Sequence, residues 1–177
     1  MTGIGEEFIA QSRSLLRDYQ AKIERCLGLL NDEQIWWRAN AESNSIGNLL
    51  LHLSGNVRQW IVVGLGGAAD TRDRDSEFAQ REVISQPDLA ARLTQTLQEA
   101  DATLAAFDPE KLLQKFSIQG LEVPALEAIL HVVEHFSMHT GQIILLTKLL
   151  TAADLHFYEF EGKTPTQRWS SGLSHGS

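Results

Sequence analysis

A single cysteine, Cys26, occurs among the 177 residues, so no disulfide can form within the chain. It sits between apolar positions of a helical pattern, where a buried filler role is expected rather than a nucleophile. Basic residues are also scarce. Lys and Arg number 15 against 23 Asp and Glu, a formal net charge of -8, and they form no dense tract. Phosphate binding needs concentrated Lys and Arg, so nucleic acid is not an expected partner. No apolar stretch approaches the roughly 20 residues that cross a bilayer, so no membrane partner is expected. No basic segment followed by an apolar run opens the chain, and a cytoplasmic location is the default expectation. Charged residues make up only 21%, which argues against long disordered tracts. The hydrophobic 43% suffices for a core, and the length suits one domain.

What is present is helical periodicity. Residues 6–30 place Phe8, Leu15, Leu16, Tyr19, Ile23, Cys26, Leu27 and Leu30 on one stripe. Asn31 and Gln34 form a capping pair for a short turn, and Trp36 and Trp37 are expected to anchor it. A second helix is predicted over about 45–64, with Ser43, Asn44 and Ser45 as candidate caps and Gly64, Gly66 and Gly67 ending it. Residues 66–86 form the longest connection, whose TRDRDSEF run reads as a solvated loop or short helix. A third helix spans about 87–107, with Pro87 in its first turn. KFSIQGLEV at 115–123 predicts a hairpin turning at Gln119-Gly120. Pro124 then opens a last helix running to about 150. Four long segments with a long crossover imply an all-α four-helix bundle. Residues 1–151 would form this domain. Residues 152–177 would be an extension, partly packed through Phe157, Tyr158, Phe160 and Trp169 and then mobile over SSGLSHGS, where His175 has no evident partner.

The informative segment is HVVEHFSMHTGQI, from His131 to Ile143. On a helix, residues four apart lie about 6 Å from one another at Cβ, so His135 and His139 can converge on one metal ion. His131 and His135 share that spacing. His131 and His139, however, stand about 12 Å apart along an unbroken helix, too far for two metal–nitrogen bonds of about 2.1 Å to bridge. One pair plus a residue from another helix is the better geometry. Spacing leaves both pairs open, and the polar Ser137, Thr140 and Gln142 favour His135/His139. His52, set among leucines on the second helix, is the best third ligand, because a buried imidazole needs partners for its ring nitrogens. Three histidines leave a coordination position for water or substrate.

Other residues can border such a site. His131 is expected as a packed or supporting histidine. Asn56, one turn after His52, can orient water or substrate. Trp60 can wall the pocket or pack in the core. Gln142 can offer its amide to His139. Glu134 is expected to face solvent. Arg72 and Arg74 are candidate anion contacts, with Arg58 able to join them, although alternation with Asp73 and Asp75 more simply suggests local charge pairing.

LLLHLSGNVRQW around His52 and HFSMHTGQI around His135 and His139 resemble the DinB-like superfamily of small helical metalloproteins. NSIGNLL and RDRDSEF resemble an uncharacterised subgroup of it. The resemblance covers about residues 5–151. It implies a bundle of up-down-down-up connectivity, His52, His135 and His139 as ligands of one divalent transition metal ion, nickel or zinc, and a homodimer. It further implies a metal-dependent enzyme acting on a small molecule, a transferase or hydrolase with a low-molecular-weight thiol as a candidate co-substrate. The alternative is a noncatalytic metal-binding or metal-stabilised dimeric protein, and a third reading is a helical interaction protein with merely buried histidines.

Overall fold

The computed structural model describes residues 3–169. The predicted mobility of SSGLSHGS and the position of His175 lie outside them. Helix α1 (Ile4–Leu27) opens with Glu6 accepting the Gly3 N–H, and α2 (Asp32–Trp36) is capped reciprocally by Asn31 and Gln34. Trp36 is the anchor, donating its Nε1–H to the Ile84 carbonyl, whereas Trp37 is exposed because its backbone has already left the helix.

Helix α3 (Ile46–Val57) starts at Ser45, whose hydroxyl accepts the Asn48 N–H. The expected helix to residue 64 is not uniform: from Arg58 to Val63 it widens into a π-helical turn, with Gly64 N–H reaching the Gln59 carbonyl. Helix α4 (Arg74–Ala79) occupies the charged part of the crossover. Helix α5 (Gln86–Ala106) carries Ser85 as its cap and Pro87 in its first turn. A 3-10 turn (Pro109–Lys111) leads to strands β1 (Lys115–Ile118) and β2 (Leu121–Pro124), paired around Gln119-Gly120 as expected. Helix α6 (Ala125–Thr151) follows directly, with Pro124 as its cap.

Helix α1 packs on α5 and α6, and α3 packs on the same two. The side chains set the directions. Arg13 meets Asp101 and Gln20 meets Thr94, so α1 and α5 run oppositely. Tyr19 stacks near Phe136, and Cys26 bonds Thr147, so α1 and α6 run the same way. His52 meets His135 and Asn56 meets His131, so α3 opposes α6. Arg58 pairs with Glu99, and the carbon a Cβ would place on Gly66 meets Thr103, so α3 and α5 are parallel. The bundle is therefore up-down-down-up, and the parallel neighbours α3 and α5 require the long crossover between them.

The core joins Ile23, Leu27, Ile35, Leu50, Leu53, Ile61, Leu93, Leu104, Ile129 and Phe136. Cys26 is buried filler, its thiol pushed up by burial. The tail carries a hairpin that the sequence did not announce, β3 (Tyr158–Glu161) with β4 (Thr164–Gln167). Of the four tail aromatics, Trp169 is buried and lies 3.9 Å from the Lys22 ammonium, whereas Tyr158 and Phe160 face outward. Tyr158 and Phe160, two residues apart on β3, share one face of the strand, and that face is turned outward. Among the described residues no helix is long and apolar enough to cross a membrane.

Candidate metal centre

Two antiparallel helices bring three imidazoles to one point. His135 and His139 project from neighbouring turns of α6, and His52 faces them from the middle of α3. His52 Nε2 lies 3.0 Å from His135 Nε2, which lies 3.2 Å from His139 Nε2. All three donor atoms fall within 4.8 Å of one another. His52 and His139 are buried and His135 is half-buried.

The opposite ring nitrogens decide which lone pairs point inward. Glu77 Oε2 stands 2.9 Å from His52 Nδ1, and a carboxylate can only accept there. His52 therefore carries its proton on Nδ1 and turns a bare Nε2 to the centre. His139 does the same, donating from Nδ1 to Gln142 Oε1 at 2.7 Å. Two lone pairs thus face His135 Nε2, whose single proton could satisfy only one at a time. His135 Nδ1 is buried without a partner. Burial, and then the neighbouring imidazoles, push His135 down to about 3, and burial likewise lowers His139. Both rings are consequently neutral near pH 7, the state that ligates a metal.

This donor set fits a divalent ion. Two metal–nitrogen bonds of about 2.1 Å, meeting at angles near 90–110°, span roughly 3.0–3.4 Å between nitrogens. The His52–His135 and His135–His139 separations of 3.0 and 3.2 Å fall in that range, and the third pair lies within the 4.8 Å spread of the set.

Glu77 was not anticipated from the sequence. It is buried, and Arg72 grips it twice, with Nε 2.8 Å from Oε1 and Nη2 2.9 Å from Oε2. Arg72 Nη2 also lies 3.2 Å from His52 Nδ1, but both atoms carry hydrogens, and Glu77 is their shared acceptor. Burial alone would raise the Glu77 carboxyl. The hydrogen bonds from His52 and Arg72 outweigh it and hold the group below the usual carboxylate range. The expected pairing of Arg72 with its sequence neighbours is thereby corrected: its partner is five residues on, one helical turn into α4, where the side chain faces the bundle. Arg74 instead lies over the Phe78 ring. Two features of α3 seat the carboxylate. Asn48 donates its amide hydrogens to the Glu77 and Gln80 carbonyls, and Gly55 leaves the space that Glu77 Oε1 fills. NSIGNLL and the small residue inside the helix were the available signals, but nothing in the pattern told which acid they served.

The remaining expectations divide. His131 stays outside the cluster, its ring centroid 4.1 Å from Trp60 and its Nε2 3.4 Å from Asn56 Nδ2. Asn56 and Trp60 are both buried, so they pack against His131 rather than line an open space, and Asn56 Oδ1 and Trp60 Nε1 have no hydrogen-bond partner. Gln142 Oε1 meets His139 Nδ1, and Glu134 is exposed. Arg58 and Arg72 border a polar cavity of about 180 Å³ together with Arg92, but the first is paired with Glu99 and the second with Glu77.

Three solved structures share the architecture. A conserved protein from Enterococcus faecalis superposes with a TM-score of 0.68 at 15% identity, covering 81% of this chain and 97% of its own. A DinB-like protein from Bacillus cereus gives 0.63 at 17% identity, over 80% and 90%. The DinB-like protein YjoA from Bacillus subtilis gives 0.61 at 17% identity, over 79% and 91%. At these identities the likeness establishes the fold, which is DinB-like. No curated protein matches the sequence. A family model described as "Protein of unknown function (DUF1572)" matches residues 3–160, and the chain belongs to that family.

Proposed function

We propose that the chain binds one divalent transition metal ion, nickel or zinc, through His52, His135 and His139, and acts as an enzyme on a small molecule. The observation that carries this reading is the convergence of three Nε2 atoms whose outer nitrogens are engaged by Glu77 and Gln142 or left without a partner. A bound ion would act as a Lewis acid, lowering the pKa of a coordinated water or thiol. The protein's own groups would divide the remaining work. The three imidazoles hold the ion and are not available as proton-transfer bases. Glu77 and Gln142 orient two of them, and the buried carboxylate offsets part of the cation's charge. A low-molecular-weight thiol is the proposed co-substrate and group transfer the proposed reaction, on the strength of the superfamily resemblance.

A noncatalytic reading has its own support. The centre ties α3 to α6 and, through Glu77, to the crossover, as a stabilising metal clamp would. Metal analysis of untagged protein, with turnover assays over a thiol and hydrolase panel, separates the readings. Stoichiometric metal and metal-sensitive consumption of a thiol-dependent substrate are expected. Stoichiometric metal that raises stability without turnover would favour the clamp, and metal retained unchanged in His135→Ala would remove that residue as a ligand.

A further inference from the structure

The polar cavity of about 180 Å³ shares Arg72 and Glu77 with the metal centre, but none of the three histidines borders it. Glu77 meets His52 at Nδ1, the end of the ring opposite the Nε2 that faces the cluster. The Arg72–Glu77 pair therefore divides the cavity from the imidazoles. The parallel helices α3 and α5 supply its walls. Ser54 and Arg58 stand about one turn apart on the first, and Arg92 and Thr96 stand one turn apart on the second. Residues 70–73 and Ser76 of the crossover complete the lining.

The formal charges of the lining balance, three arginines against Asp70, Asp73 and Glu77. The hydrogen bonds do not. Every acid is engaged: Asp70 accepts from the Gln59 amide and the Arg72 N–H, Asp73 from the Ser76 N–H, and Glu77 from His52 and Arg72. Two donors are not. Among the described residues Arg92 has no ion pair or hydrogen bond, and the hydroxyl of Thr96, a residue only 7% exposed, has no hydrogen-bond partner. Arg58 commits only Nη1, to Glu99, which does not border the cavity. A guanidinium carries five N–H donors, so most of those on Arg58 are left over.

We infer that this cavity binds a small oxyanion, a phosphate or a carboxylate, through Arg92, Arg58 and the Thr96 hydroxyl. Guanidinium forks match the planar spacing of carboxylate and phosphate oxygens, and hydrogen bonds between ionised partners are the strong ones. The net charge of -8 opposes anions at long range, so the site rests on directed donors rather than on an overall positive field. The volume sets the size of the ligand. Pockets for drug-sized molecules run to roughly 300–1,000 Å³, so this one takes a smaller molecule. Such a ligand is held beside the pair that fixes His52, yet its binding does not require a metal ion.

The test is calorimetric titration of full-length, untagged protein with inorganic phosphate and, separately, with malonate. Protein as isolated and protein stripped by a chelator are both titrated, with metal content measured on each sample. One saturable site is expected, and it should survive removal of the metal. Arg92→Gln, at an exposed position, should weaken binding about 10–100-fold while helix content and metal content stay native. Thr96→Val keeps the shape of the side chain and should weaken binding about 2–10-fold. Tighter binding of phosphate than of malonate would mark a phosphoryl ligand, and the reverse order a carboxylate. No saturable binding of either anion overturns the proposal. So does binding undiminished in Arg92→Gln, or binding that disappears with the metal. Because anion and metal are read separately, an anion site in protein that takes up no metal would count against the proposed function and leave this inference standing.

Discussion

Glu77 Oε2 lies 2.9 Å from His52 Nδ1, a contact between residues 25 apart that fixes one imidazole of the centre from the crossover. The carboxylate orients the ring, enriches its inner nitrogen and supplies negative charge beside the three imidazoles. Replacing Glu77 by Gln keeps the shape and removes the charge. Metal affinity should fall about 10–100-fold, with helix content retained. Competitive titration against a chelator would measure it, and an unchanged affinity would reduce Glu77 to a packing role.

Gly55 is where the helix backbone yields to that carboxylate. A methyl group there would collide with Glu77 Oε1 and press on the Arg72 Nε. Ala ordinarily stabilises a helix over Gly, by about 1 kcal/mol. Gly55→Ala should instead destabilise, by about 1–3 kcal/mol through overpacking, and should weaken metal binding by displacing Glu77. Chemical denaturation of the metal-free protein and a metal titration would read the two effects. A gain in stability would contradict the packing described.

A core substitution away from the histidines should separate folding from binding. Leu93 is almost fully buried on α5, a helix that contributes no histidine to the cluster. Leu93→Ala should cost about 2–5 kcal/mol in denaturant unfolding. Metal stoichiometry should remain that of the native chain under conditions where the variant is folded.

The metal-free protein should lose stability on mild acidification. Burial, followed by the other imidazoles, holds His135 at about 3, and burial lowers His139. In the unfolded chain both titrate near 6.5. Below that value the unfolded state binds protons that the folded state refuses, so unfolding becomes easier. The loss should begin as pH falls through about 6.5 and continue toward about 3, and it should be absent above neutrality. Glu77 acts in the same direction at lower pH, because its folded form stays ionised below the usual carboxylate range. Unfolding midpoints between pH 8 and 4 would show it, and His135→Gln should flatten the slope.

The long elements were legible because each repeats a local rule over several turns. The apolar stripes located α1, α3, α5 and α6, and Gln119-Gly120 located the first hairpin. The three histidines were legible for a similar reason: four-residue spacing puts His135 and His139 on one face, and an imidazole among leucines at His52 demands a partner. Glu77 was hidden because it follows a run, Arg72 to Asp75, in which every residue is charged, and only the fold turns this acid inward while Asp73 and Asp75 stay outside. The π-helical turn under Trp60 leaves no trace in side-chain periodicity, since one extra residue shifts the stripe only locally. The second hairpin, β3–β4, is short and exposed and has no alternation strong enough to stand out.

The central claim is that His52, His135 and His139 enclose one cation, and anomalous diffraction from native, untagged protein tests it most directly. The account predicts a single transition-metal peak within about 2.1 Å of all three Nε2 atoms. Crystals of protein supplied with nickel and zinc that show no peak there, or a peak held by other residues, would contradict it.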